Sequence, residues 1–257
     1  MASDRIEQAA QFLADLYEPG LRPTTLPAEL SPHDEQQAYA IQQAVGRRLG
    51  QSTAARKVAM SQPDRGTWAP IFPERLYRSP ARMAGWAGVR VGIEPEIAFT
   101  LGRELPRLPQ GGHYSRAQVV EAIDAAYAAI EIVVSRFQSH EGAKPLDRLA
   151  DNISNGGLVL SAACRDWQRV DLRQLPLQLT LVDPDGTRRS PSGGGHPLGD
   201  PLLALLWLVN DRAAAGDGIR AGEPVTTGSY AGLHYVMPGG RVEVEFAGIG
   251  TVRLEVS

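Results

Sequence analysis

Glu94 and Glu96 stand two residues apart in Val91-Gly92-Ile93-Glu94-Pro95-Glu96-Ile97-Ala98-Phe99, a stretch that is otherwise apolar. Side chains alternate across a strand, so the two carboxylates point together while Ile93, Ile97 and Phe99 face the other way. Like charges on a mostly buried element repel one another and lose hydration, so a cation or a shared proton must compensate them. A hard divalent ion, which takes oxygen ligands, meets that need. A solvated edge strand is the other reading, and Pro95, with no N–H for a ladder, suits an edge.

Further residues of the same kind follow. Glu131 interrupts the apolar run Ala129-Ile130-Glu131-Ile132-Val133-Val134; such an acid is usually paired, and Arg136 is an available partner. Lys57, in Arg56-Lys57-Val58-Ala59-Met60, is flanked by small and apolar residues. Such a lysine either takes part in proton transfer with a shifted pKa or lays its stem along apolar surface with its head in water. The loop Ser61-Gln62-Pro63-Asp64-Arg65-Gly66 adds Asp64, and Trp68-Ala69-Pro70-Ile71-Phe72-Pro73 is an apolar, proline-stiffened loop that walls a pocket or covers a core. Asp151-Asn152-Ile153-Ser154-Asn155-Gly156-Gly157 is a polar loop that binds a ligand or only turns the chain. Glu243 and Glu245 repeat the opening spacing, but within an alternating pattern that predicts a solvated face. Spacing alone therefore does not make a metal site. His33 has no evident partner and reads as a surface residue. The glycine triplet at 193–195 marks a bent or mobile loop and lacks the Gly-Lys-Ser/Thr ending of a phosphate loop.

The elements that must position these groups are short. Helical spacing predicts helices over 4–17 and from Ser31-Pro32 to Gly50. A capping-box pattern at Ser115 and Gln118 opens a helix whose apolar face extends to Tyr127, followed directly by the 129–134 strand. Strands are expected at 56–60 and 158–160, with an antiparallel pattern from Leu177. Asp200-Pro201 starts a capped helix to about Ala215, and 241–256 reads as a hairpin. This mixture predicts an α+β protein. The simplest division is a helical N-terminal part over 1–80, carrying the Lys57 strand and the pocket loop, and a β-rich catalytic domain over 81–257.

At 257 residues the chain can bury a substantial core. Its 26 basic and 29 acidic residues give a net charge of −3 without a basic block, which argues against nucleic acid as a partner. One cysteine, Cys164, excludes an internal disulfide and a cysteine-based zinc site. The first residues lack a signal-peptide core and no run reaches the ~20 apolar residues of a membrane helix, so a cytoplasmic protein without a membrane partner is expected.

Several stretches together resemble the 2-keto-4-pentenoate hydratase and 4-oxalocrotonate decarboxylase group of the fumarylacetoacetate hydrolase superfamily. They are Glu94-Pro95-Glu96-Ile97-Ala98-Phe99, Ile130-Glu131-Ile132-Val133, Ser135-Arg136, Ala150-Asp151-Asn152, Gly199-Asp200-Pro201-Leu202 and Thr227-Gly228-Ser229, with Pro238-Gly239-Gly240 and Ala247-Gly248-Ile249-Gly250 closing the chain. The resemblance implies a mixed, distorted β-roll that assembles into homo-oligomers. It also implies that Glu94, Glu96 and Glu131 bind one Mg²⁺ or Mn²⁺ and that Lys57 lies close to the substrate. The implied activity is hydration of a 2-hydroxy-2,4-dienoate to a 4-hydroxy-2-oxo acid, with the metal polarising the 2-oxo acid and Lys57, with Asp64, moving protons. Trp68, Ile71 and Phe72 are candidates for the tail pocket, and Asp151, Asn152, Thr227 and Ser229 for hydrogen bonds to the substrate. The chain departs from the family pattern at Ala59, Arg65 and Val134. Decarboxylation of a 2-oxo-3-enedioate is an alternative, with Arg65 the candidate for a second carboxylate. Hydrolysis of an acylpyruvate, through His33 with Glu35 or Glu29, is another, and a catalytically silent partner of such an enzyme is a third.

Overall fold

The computed structural model describes residues 2–18, 20–84, 89–190 and 195–257. In chain order these form α1 (Ala2–Asp15), α2 (Glu35–Arg48), β1 (Ala55–Gln62), β2 (Arg65–Ile71), β3 (Leu76–Arg78), β4 (Ala81–Met83), β5 (Val91–Leu101), α3 (Arg116–Ala122), β6 (Ile123–Val133), α4 (Pro145–Ala150), β7 (Asn155–Leu160), β8 (Leu177–Val182), β9 (Arg188–Arg189), α5 (Pro201–Ala215), β10 (Pro224–Ser229), β11 (His234–Val236), β12 (Arg241–Phe246) and β13 (Gly250–Val256). Gly193 and Gly194 of the glycine triplet lie outside the described residues.

Among the described residues the strands make two mixed sheets. One runs β2-β1-β10-β5-β6-β7-β3, with β11 continuing beside β5 where β10 leaves it; the other runs β4-β13-β12-β8-β9. Parallel pairs β1–β10, β3–β7 and β4–β13 join otherwise antiparallel neighbours. The outcome is the expected α+β β-roll, and strands from both sides of residue 80 share the larger sheet.

β5 is an interior strand, paired with β6 along its length, and not an edge. Pro95 is accommodated where β10 gives way to β11: its carbonyl accepts from Tyr230 N at 2.8 Å, so the missing donor falls at a break in the ladder. Ile93, Ile97 and Phe99 face the second sheet, packing in one core with Val242, Val244, Val252 and Leu254. The opposite face of β5 and β6 carries Glu94, Glu96 and Glu131, bordered by an apolar layer that contains Ala98, Ala129, Leu158 and Ile71. α1 and α2 pack with α4 over a separate apolar cluster that includes Phe137 and Ile153.

Three boundaries differ from the sequence reading. α2 starts at Glu35, because Asp34 and not Ser31 supplies the cap, its carboxylate accepting from Gln37 N at 2.7 Å. α3 keeps its capping box at Ser115 and Gln118 but stops at Ala122, and Ala126 and Tyr127 belong to β6. The run from Ile123 is apolar on both faces, and pairing with the whole of β5 wins over helical spacing. Trp68 to Ile71, expected as a loop, are strand residues of the β1–β2 hairpin.

Candidate metal and substrate site

Glu94 and Glu131 are direct cross-strand partners on β5 and β6, and Glu96 follows on the same face. One carboxylate oxygen from each lies within 4.8 Å of the others. Glu96 and Glu131 are buried and Glu94 is half-buried. At that separation each pair of full charges repels by about 3–4 kcal/mol in a medium of effective dielectric ~20. Lys57, 4% exposed, answers one of them. Its ammonium pairs with Glu131 Oε1 and donates to the Ile153 carbonyl at 3.3 Å. Asn155 Nδ2 reaches the same glutamate oxygen at 3.0 Å. Glu96 is held by the Thr226 hydroxyl and by the Gly228 N–H at 2.8 Å.

Electrostatics follow from this crowding. Burial and the neighbouring Glu131 carboxylate push Glu94 up to about 7, with Lys57 pulling the other way. Burial, then Glu131 and Glu94, hold Glu96 well above the ordinary carboxylate range, against the Thr226 hydrogen bond. Burial alone would lower Lys57, but the carboxylates, Glu131 foremost, more than offset it and raise its pKa. Three carboxylates with one lysine leave two negative charges uncompensated when all are ionised. A divalent cation with oxygen ligands fits that donor set in charge and in ligand type.

A hollow of about 470 Å³ opens on the cluster, walled by Val58, Met60, Pro197 and residues 228–232. Ser229 borders it, its hydroxyl donating to the Gly232 carbonyl at 2.9 Å. The other residues singled out in the sequence are placed elsewhere. Asp64 lies at the far end of the β1–β2 hairpin, against a separate hollow bordered by His113 and Trp207. Trp68 is a core residue, stacked on Tyr39 with ring centroids 5.7 Å apart, with the Arg56 and Arg212 guanidinium groups over its ring at 5.1 and 4.4 Å. Ile71 and Phe72 are likewise buried and do not line the hollow beside Lys57. Thr227 turns its hydroxyl to the Ile97 carbonyl at 2.7 Å, away from the carboxylates. Asp151 is engaged by Arg136, which is therefore not the partner of Glu131. Arg65 is exposed and paired with Glu35 at 3.0 Å, and His33 is an exposed residue before α2, so neither reaches the cluster.

Thr226, Asn155 and the Gly228 N–H were not foreseen. Strand parity is the signal that finds Thr226: it pairs with Lys57 on one side and Ala98 on the other, in the row that continues to Glu96. No local pattern marks Asn155, which reaches Glu131 only after an unusual turn. Asn152, Ile153 and Ser154 all have left-handed φ, of 51°, 50° and 57°. Each such residue costs of order 1–3 kcal/mol, and a β-branched isoleucine is the least tolerant.

The fumarylacetoacetate (FAA) hydrolase C-terminal family model matches residues 66–257. The chain belongs to that family. Across 96% of this chain and 93% of that protein, it is 30% identical to a Pseudomonas putida protein named TodF product hydratase. It is 29% identical to the 2-keto-4-pentenoate hydratase of Paraburkholderia xenovorans over 99% of this chain and 96% of the other. Among solved structures, 4-oxalocrotonate decarboxylase from Pseudomonas putida G7, complexed with magnesium and adipate, superposes with a TM-score of 0.80 over 99% of this chain and 98% of that one. At 21% identity that likeness establishes a shared fold. Within the family fold, the larger sheet of this member presents Glu94, Glu96 and Glu131 on one face with Lys57 beside them.

Proposed function

We propose that the protein is a divalent-metal-dependent lyase that hydrates a 2-hydroxy-2,4-dienoate to a 4-hydroxy-2-oxo acid. The observation that carries this reading is the cluster of three carboxylates with a buried lysine in contact, in a chain whose full-length relatives are named hydratases. Glu94, Glu96 and Glu131 would hold Mg²⁺ or Mn²⁺, which supplies Lewis-acid polarisation to the oxygens of a 2-oxo acid.

The chain's own groups supply the rest. Ketonisation moves the proton of the 2-hydroxyl to C5, leaving a C3–C4 double bond conjugated to the 2-oxo group. Water then adds its oxygen at C4 and a proton ends at C3. Lys57 Nζ is the titratable donor beside the carboxylates, and its contact with the Ile153 carbonyl fixes where its protons point. Thr226 and Gly228 N–H keep Glu96 from turning away. The Val58, Met60 and Pro197 walls suit an apolar tail. Where water is excluded, each charge placed by these contacts acts more strongly.

Incubation with Mg²⁺ or Mn²⁺ and a panel of 2-hydroxydienoates, 2-oxo-3-enedioates and acylpyruvates tests the reading. Loss of dienoate absorbance with a 4-hydroxy-2-oxo acid formed is the expected result. Release of CO₂ from the enedioate alone would replace hydration with decarboxylation, cleavage of acylpyruvate with C–C hydrolysis, and silence throughout with a structural partner.

A further inference from the structure

The left-handed run Asn152–Ser154 carries one group that touches the site, the Ile153 carbonyl, on Lys57, and leads directly into another, the Asn155 amide, on Glu131. Three successive L residues do not hold that conformation unaided, and the structure shows what holds them. The Arg136 guanidinium, 3% exposed, brackets the turn. Its Nη2 donates to the Asp151 carbonyl at 2.6 Å and its Nη1 to the Asn155 carbonyl at 2.7 Å, while Nε engages the Asp151 carboxylate. That carboxylate is fixed in turn by the Ser135 hydroxyl at 3.0 Å and the Arg136 N–H at 3.2 Å. From the turn that follows α1, Tyr17 lies 4.8 Å beneath the guanidinium and accepts the Asn152 amide at 2.9 Å on its hydroxyl. Val134 N donates to the Ser154 carbonyl at 2.8 Å, and the Ile153 side chain packs among the residues of α1 and α2. A planar fork that bonds both ends of a five-residue turn is a task lysine, with a point charge, cannot perform.

We propose that Arg136 is a positioning residue: by clamping the left-handed turn between Asp151 and Asn155, with Tyr17 bracing it from just beyond the N-terminal helix, it sets the orientation of Lys57 and Glu131. The proposal rests on the hydration reading only for its kinetic readout. Arg136 is separated from the reacting groups by the turn and acts through the Ile153 carbonyl and the Asn155 amide. The N-terminal helices thereby become part of the site's geometry without lining it.

The chain holds two lysines, Lys57 and Lys144, so ¹³C-lysine labelling gives Lys57 signals that are readily separated, and the third set that Arg136→Lys adds is told apart by comparison with the wild type and Tyr17→Phe, which lack it. The full-length protein, with and without Mg²⁺, is compared with Arg136→Lys, Tyr17→Phe, Ser154→Gly and the Arg136→Lys/Ser154→Gly pair. Arg136→Lys is expected to lower kcat about 10–100-fold, the range seen when a group orienting a ligand is lost. Its KM for the dienoate should stay within about threefold, since the defect lies in the orientation of a proton-carrying group and not in binding. The Lys57 signals should shift while those of Lys144 remain. Ser154→Gly removes a side chain at a left-handed position and a buried hydroxyl that has no partner, so it should recover about fivefold or more of the lost kcat in the pair. Unchanged kcat and unmoved Lys57 signals in folded Arg136→Lys would overturn the proposal, as would failure of Ser154→Gly to recover activity in a folded pair. If Arg136→Lys does not fold, Tyr17→Phe carries the same test: a shifted Lys57 signal supports the clamp and an unmoved one overturns it. If the wild type turns over no dienoate, the hydration reading fails, and the lysine signals alone decide the clamp in the same way.

Discussion

Lys57 of β1 and Glu131 of β6 form a buried ion pair although β10 and β5 lie between their strands. Three strand spacings amount to roughly 14 Å, and side chains standing upright on a flat sheet would not meet across that distance. The curl of the larger sheet turns them toward one another, so the fold itself makes the contact. Lys57→Met should therefore act in two ways. Turnover should fall by about 10²–10⁴-fold, the usual contribution of a positioned proton-transfer group. Without metal, Glu131 loses its buried cation and the protein should lose on the order of 3–5 kcal/mol of stability, regained on adding Mg²⁺. Denaturant titration with and without the ion, beside steady-state kinetics, reads both; undiminished turnover would remove Lys57 from the proposed chemistry.

Glu96→Gln keeps the size of the side chain and an acceptor for Thr226 and Gly228, while removing a negative charge. The far-ultraviolet circular dichroism should match the wild type. Metal affinity, measured by calorimetry, should drop by more than about 100-fold, beyond the loss expected for a group that merely orients a ligand. Metal-dependent turnover should nearly vanish. Full activity in this variant would sink the assignment of the triad.

Stability of the metal-free protein should carry the signature of Glu94. Its pKa is raised in the fold to about 7 from an ordinary value of 4.5, so between those values the native state binds more proton than the unfolded chain. The contribution of this group is then fully present below pH 4.5 and is lost as pH rises toward 7. His140, which burial lowers to about 4, contributes with the opposite slope, so the comparison is made against Glu94→Gln. The Tm of the wild type relative to that variant should fall between pH 5 and 7.5 in chelator. Mg²⁺, which competes with the proton, should reverse the trend, and a relative Tm that rises with pH in chelator would contradict it.

The carboxylate cluster was legible because acids in an apolar strand break the strand's own pattern, and the control pair Glu243 and Glu245 was legible as exposed for the converse reason. Glu243 indeed pairs with Arg253 on an outer face. The site's neighbours were less legible because they are set by register and backbone conformation, which are tertiary. Thr226 and Thr227 are adjacent in sequence, yet strand alternation sends only the first to Glu96. Asp151 has the composition of a ligand-binding loop residue, and its burial against Arg136 could not be seen without the turn that joins them. Trp68, Ile71 and Phe72 were read as pocket walls from apolarity, a property that core and pocket share.

Gly228 joins local backbone to the site most directly. Its φ of 113° is open to glycine and strained for other residues, and a Cβ there would stand 3.2 Å from His196 Nε2. That histidine is itself fixed, one ring nitrogen on the Thr227 carbonyl at 2.8 Å and the other accepting from Leu198 N at 3.2 Å, so it has little room to yield. Gly228→Ala should therefore rotate the peptide whose N–H holds Glu96. A stability loss of about 1–3 kcal/mol is expected from the strain alone. The informative readout is metal affinity in protein that remains folded, which should weaken by about 10–100-fold, as for other groups that orient a ligand. Unaltered affinity in a destabilised variant would show that Thr226 suffices to hold Glu96 and that the backbone donor is dispensable.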